Sequence, residues 1–169
     1  MSATVIDTNV VLVANGQHQD VSPECVINCV LALDRVKRSG KLVLDDGFRI
    51  LREYQNKSQP KKGNRQGDAF VKWALNNRCN ARWVDQVTLQ EHDERGFESF
   101  PHDPELEKFD DSDRKFVAVS GAHPDKPCIA QAADSKWLDW APALKRHGID
   151  VSFLCQADIE GFHKNKFGL

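Results

Sequence analysis

The stretch Thr4-Val5-Ile6-Asp7-Thr8-Asn9-Val10 constrains this chain more than any other. Its β-branched start suits a pleated, half-buried surface. The apolar run Val10-Val11-Leu12-Val13 follows at once. Together they predict a buried first strand with a carboxylate, Asp7, at its tip. A charge beside a core must be paired, hydrogen-bonded or bound to a cation. The fold must therefore bring something to Asp7, and the rest of the sequence is to be searched for other carboxylates that converge on it.

Strand and helix signals alternate after this start. Ser22-Pro23-Glu24 is a helix beginning, with a Ser cap, Pro at the first helical position and an acid in the first turn. That helix carries Val26, Ile27, Val30, Leu31 and Leu33 and stops near Arg38-Ser39-Gly40. Lys41 to Leu44 reads as a second strand, followed by Asp45, Asp46 and a helix bearing Phe48, Ile50, Leu51 and Tyr54. Lys57 to Gly67 is a basic loop with breakers, and Asp68 to Asn77 a helix with Phe70, Val71, Ala74 and Leu75 on one stripe. Ala81 to Leu89 is a third strand, Ser112 to Ser120 a short helix, and Cys128 to Ala133 a strand ending at Asp134. Pro142 predicts a break between a helical turn at 135–138 and a fresh helix at 143–147. Val151 to Leu154 is the last strand, with a short tail after it. The alternation predicts one α/β domain over residues 1–169 with a mostly parallel sheet.

Several classes are disfavoured. No apolar run is long enough to cross a membrane, and the amino terminus has neither a basic n-region nor an apolar h-region. The five cysteines, Cys25, Cys29, Cys79, Cys128 and Cys155, are odd in number, scattered and without a CxxC pair. They read as reduced packing residues of a cytoplasmic protein. The histidines form no ligand spacing, and no Gly-rich phosphate loop is present. The net charge of −2 hides an asymmetry. Between Asp85 and Asp113, eleven acids face only Arg95 and Lys108, which leaves −9 there and +7 over the remainder. An acidic solvated loop explains most of these acids; a cationic surface around a local anionic pocket is the sharper alternative.

Three acids share a positional logic. Asp7 and Asp134 each end a strand, and ligand sites of open α/β sheets lie beyond the carboxyl ends of strands at the switch in strand order. Asp113 shares a helical stripe with Phe116, Val117 and Ser120 and so faces the core. The plainer alternative for Asp113 is a first-turn acid, although Asp110, Asp111 and Ser112 already supply cap candidates. Glu53 is a fourth candidate, on the helix after the second strand; alternatively it is an exposed acid paired with Lys57 at i+4. The acids Asp46, Asp110, Asp111 and Asp139 carry no assigned role.

Asp7-Thr8-Asn9-Val10 after a β-branched strand, Glu53-Tyr54 on a helix, Asp113-Arg114-Lys115-Phe116-Val117-Ala118-Val119 and Ala132-Ala133-Asp134 occur in this order over nearly the whole chain. In this the sequence resembles the PIN-domain ribonucleases. The resemblance implies a three-layer α/β/α sandwich with a roughly five-stranded, mostly parallel sheet. It implies one or two Mg²⁺ or Mn²⁺ ions held by Asp7, Glu53, Asp113 and Asp134, and metal-dependent cleavage of RNA, as in toxin-type endoribonucleases paired with an antitoxin protein. A homodimer is a further expectation. Two alternatives stay open: a catalytically silent PIN-like module that binds RNA or protein, and a DNA-directed nuclease on the same scaffold. The basic loop and the acidic stretch make this chain longer than a compact toxin.

Hard divalent cations prefer oxygen ligands, so a cluster of carboxylates without His or Cys suits Mg²⁺ or Mn²⁺ and argues against zinc. Phosphate contacts would come from Lys57, Lys61, Lys62 and Arg65 in the basic loop and from Lys136 beside Asp134. Asn9 is expected to position the turn after the first strand or to touch substrate. Trp137 and Trp140 read as packing residues before base-stacking ones.

Overall fold

The β-branched run does form a strand, and its last two residues, Val5 and Ile6, are fully buried. The computed structural model describes residues 1–168. In chain order the elements are β1 (Ala3–Ile6), α1 (Thr8–Ala14), α2 (Pro23–Ser39), β2 (Lys41–Asp45), α3 (Arg49–Lys57), α4 (Gln66–Asn77) and β3 (Val84–Val87). Two short strands follow, β4 (Glu91–His92) and β5 (Gly96–Phe97), then 3₁₀ turns at Pro104–Leu106 and Asp111–Asp113. The chain continues through α5 (Arg114–Ala122), β6 (Cys128–Gln131), α6 (Lys136–Arg146), β7 (Val151–Phe153) and α7 (Gln156–Phe167).

Five strands make one parallel sheet in the order β3-β2-β1-β6-β7, flanked by helices in a three-layer α/β/α arrangement. β1 is central. The chain builds outward from it through β2 and β3, then returns to its other side with β6 and β7. The switch in strand order therefore lies between β1 and β6, where Thr4, Val5 and Ile6 register with Cys128, Ile129 and Ala130. That crevice is where a parallel sheet leaves room for a ligand.

Local chemistry explains the element ends. Ser22 caps α2 by accepting the Cys25 N–H at 3.2 Å, and Pro23 opens the helix. Asp45, fully buried at the end of β2, accepts the N–H groups of Arg49 (2.9 Å) and Ile50 (3.0 Å) and so caps α3 from outside it. This leaves Phe48 to turn the chain with φ 57°, a conformation that costs a non-glycine residue about 1–2 kcal/mol. Gly67 lets α4 touch α1: a Cβ there would lie 2.3 Å from the Val11 carbonyl oxygen.

The structure departs from the sequence expectations in four places. First, α6 runs unbroken through Pro142. Its fully buried Trp137 and Leu144 hold the helix through the lost backbone bond, so packing overrides the local breaker. Second, the segment after β7 is not a short tail but the twelve-residue helix α7, whose Ile159 is fully buried. Third, on α2 the buried face is Cys25, Cys29, Ala32, Leu33 and Val36, while Ile27 and Leu31 are exposed. Fourth, the cysteines are not all reduced: Cys25 and Cys155 form a disulfide, with Cys29 Sγ 3.9 Å from Cys155 Sγ. The pair is 130 residues apart and meets only because α7 starts against α2, which no sequence spacing announces. The cytoplasmic expectation loses the support it drew from reduced thiols. Among the described residues, no helix is long and apolar enough to cross a membrane.

Closing so long a loop restricts the unfolded chain. Cys155→Ser is expected to lower the unfolding free energy by about 2–4 kcal/mol in urea without reductant. Dithiothreitol should produce the same loss in the wild type and none in the variant.

Candidate metal centre

Asp7 lies at the carboxyl end of β1 and caps α1: its Oδ1 accepts the Asn9 N–H at 2.8 Å. Its own N–H donates to the Ala130 carbonyl at 3.0 Å, which welds the strand tip to β6. The residue is only 5% exposed. Across the crevice, Asp134 follows β6 by three residues, and its Oδ1 accepts the Lys136 N–H at 3.1 Å as α6 begins. The Asn9 amide oxygen accepts the Ala133 N–H at 2.9 Å, so Asn9 clamps the Asp134 loop onto α1. Asn9 thus positions the site, and its amide oxygen is committed to that bond.

The predicted helix at 112–120 starts at Arg114, so Asp113 is the residue immediately before α5. A 3₁₀ turn leads into the helix, and neither Asp110 nor Asp113 makes a side-chain cap bond. Asp113 is thereby left free to point elsewhere. One carboxylate oxygen each from Asp110, Asp113 and Asp134 lie within 4.8 Å of one another, and this group could hold a metal ion. Asp7 and Glu53 stand outside that tight trio but are felt within it. Glu53, on α3, is paired with Lys115 of α5 and not with Lys57. Lys115 also donates to the Ser112 carbonyl.

The electrostatics follow from burial and crowding. Burial, then the charge of Asp113, pushes the Asp7 carboxyl up to about 8; Glu53 and Asp134 add to this, and the Asn9 N–H opposes it. Asp113 rises to about 6 through burial and Asp134, with Lys115 opposing and Glu53 and Asp110 adding. Burial and like charge therefore penalise the ionised forms of Asp7 and Asp113, a penalty that a bound cation would relieve. The donors are all carboxylate oxygens, which fits Mg²⁺ or Mn²⁺.

What brings Asp110 into the trio was not legible in the sequence. The acidic stretch was expected to be a solvated loop, yet Phe100, Leu106 and Phe109 are buried. Phe109 packs 5.0 Å from Trp137 and 4.3 Å from Trp140, ring centre to ring centre, so both tryptophans serve packing. Arg114, 6% exposed, latches the stretch. It donates to the carbonyls of Arg95 (3.0 Å), Glu107 (2.9 Å) and Phe109 (3.3 Å) and lies 4.5 Å over the Phe100 ring. Its only sequence signal is its place beside Asp113.

The remaining predicted residues scatter. Lys57 lines an open cleft with Arg49, Arg52, Glu53, Asn56 and Lys115, which joins it to the site through Glu53. Sequence reasoning missed Arg49, Arg52 and Lys115. Lys61 and Lys62 are exposed on the loop after α3, in a separate hollow. Arg65 is bound to Asp68 at 2.8 Å and serves the start of α4. Lys136 is bound to Asp110 at 2.9 Å. Asp46 accepts from Thr88, Asp139 pairs with His163, and the exposed Asp111 pairs with Arg114.

Comparison with known proteins gives no match to any family model, curated protein or solved structure.

Two outcomes follow from this geometry. Asp7 carries a raised pKa, so between its unfolded value of 3.8 and about 8 the folded chain holds a proton that the unfolded chain releases. Metal-free protein should therefore lose stability as pH rises across that window, by about 1.4 kcal/mol per pH unit from this one group. Urea titrations in EDTA at pH 5, 6 and 7 should show Asp7→Asn with a slope shallower by that amount. Separately, Arg114→Met strands three carbonyls, each costing about 1–3 kcal/mol if left unsatisfied. It is expected to destabilise the protein by at least about 3 kcal/mol in the same titration.

Proposed function

We propose that the chain is a PIN-like, metal-dependent ribonuclease acting through this centre. The observation that carries the reading is the meeting of Asp7, Asp113 and Asp134, with Asp110, at the switch point between β1 and β6. These acids come from distant parts of the chain in the order of the resemblance, and their mutual repulsion calls for a cation.

A bound Mg²⁺ or Mn²⁺ would supply charge neutralisation at the phosphate and activation of a water. The chain's own contribution is positioning. Asp113 and Asp134 would hold the ion, with Asp110 at the edge of the group and paired with Lys136, and Asp7, buried and fixed by the Asn9 N–H, would complete its ligands once its proton is lost. Glu53 is held in place by Lys115, which suits it to orient a water rather than to bind the ion directly. Arg49, Arg52 and Lys57 line the approach to Glu53 and would contact the phosphate backbone. Lys61 and Lys62 would extend that contact along the strand. Such contacts are sequence-independent and weaken with salt.

The test is cleavage of an end-labelled RNA strand by the purified chain with Mn²⁺ or Mg²⁺. Cleavage should stop in EDTA and fall at least about 100-fold in Asp113→Asn. Cleavage indifferent to both would overturn the reading. A matched DNA strand run alongside identifies the sugar preference: equal rates would make the chain a general nuclease. Intact RNA together with Mn²⁺-independent RNA binding would make it a silent module.

A further inference from the structure

Five acids reach the crevice, but two lysines, Lys115 and Lys136, reach it as well. Lys136 Nζ lies 2.9 Å from Asp110 Oδ2. The backbone N–H of the same residue is held by Asp134 Oδ1 at 3.1 Å. One residue thus engages two of the three acids of the tight trio, and it does so from the first position of α6, where its backbone is fixed. On the other flank, Lys115 is mostly buried and paired with Glu53.

We infer that Lys136 is a built-in cation of the metal centre, occupying the Asp110 side so that the centre takes a single divalent ion. This rests on the reading of the cluster as a metal centre. Two-ion phosphodiester sites hold their ions about 3.5–4 Å apart and need carboxylates for each. Here Glu53 and Asp110 are each neutralised by an ammonium. Asp7, Asp113 and Asp134 remain without a lysine of their own, and Mg²⁺ is satisfied by few direct carboxylates and several waters. A second divalent ion beside Asp110 would have to expel the Lys136 ammonium or sit against it, like charge on like charge. Lys136 therefore sets the number of ions, and it is unavailable as a free phosphate contact while it does so.

The experiment is a Mn²⁺ titration of the full chain at pH 7.5, read by calorimetry and by loss of the free-ion electron paramagnetic resonance signal, without RNA. The wild type should bind one Mn²⁺ per chain. Lys136→Met, at a half-exposed position, should fold with an unchanged circular dichroism spectrum and bind two. Lys136→Arg, which keeps the charge, should return to one. Two ions in the wild type, or one in Lys136→Met, would overturn the inference while leaving the metal centre standing. No Mn²⁺ bound by the wild type would remove the metal centre and this inference together.

Discussion

The structure is organised around a carboxylate at the tip of its central strand. Asp7 ends a central strand whose last residues have no solvent exposure, and it faces Asp113 and Asp134 across the switch point of the sheet. Burial and like charge both penalise its ionised form. The surroundings offset this only in part. Among the described residues the Asn9 N–H is the single donor given to it, and Asn9 then spends its side chain on the Ala133 N–H. The first turn of α1 therefore does two things: it holds Asp7 and it ties the loop carrying Asp134 to the same place.

A second constraint is that three acids must be held close against their own repulsion. The framework that does this is apolar and aromatic. Phe109 packs on Trp137 and Trp140, and so joins the segment leading to Asp110 and Asp113 with the helix that follows Asp134. Arg114 closes the same segment from within by binding three of its carbonyls. The strongly acidic stretch is thus two things at once: a charged exterior and an anchored support for the acidic cluster. A flexible loop of that charge would relax by moving its acids apart.

The two lysines complete this picture. Lys115 and Lys136 enter from α5 and α6, the helices that begin directly after Asp113 and next to Asp134. Each supplies one positive charge at the rim, where a long side chain can reach inward from a surface backbone. Glu53 and Asp110, the outer acids, are thereby paired, and the inner carboxylates stay crowded.

Local pattern alone determined a great deal here. The β-branched start, the Ser22-Pro23 cap, the stripe through Phe70, Val71 and Ala74 and the strand at Cys128 follow from side-chain shape and period, which act over a few residues. The three strand-end and helix-start acids were legible for the same reason: a carboxylate next to a buried run is costly wherever the run goes. Only the tertiary structure decided what those acids would meet. Asp110 joins through packing of Phe109 on α6, Glu53 finds Lys115 instead of its helical neighbour Lys57, and Lys136 turns to Asp110. Likewise Cys25 meets Cys155 over 130 residues, and Pro142 stays inside a helix because Trp137 and Leu144 are buried on either side of it. These are long-range contacts whose free energy depends on which surfaces face each other, and no spacing along the chain encodes that.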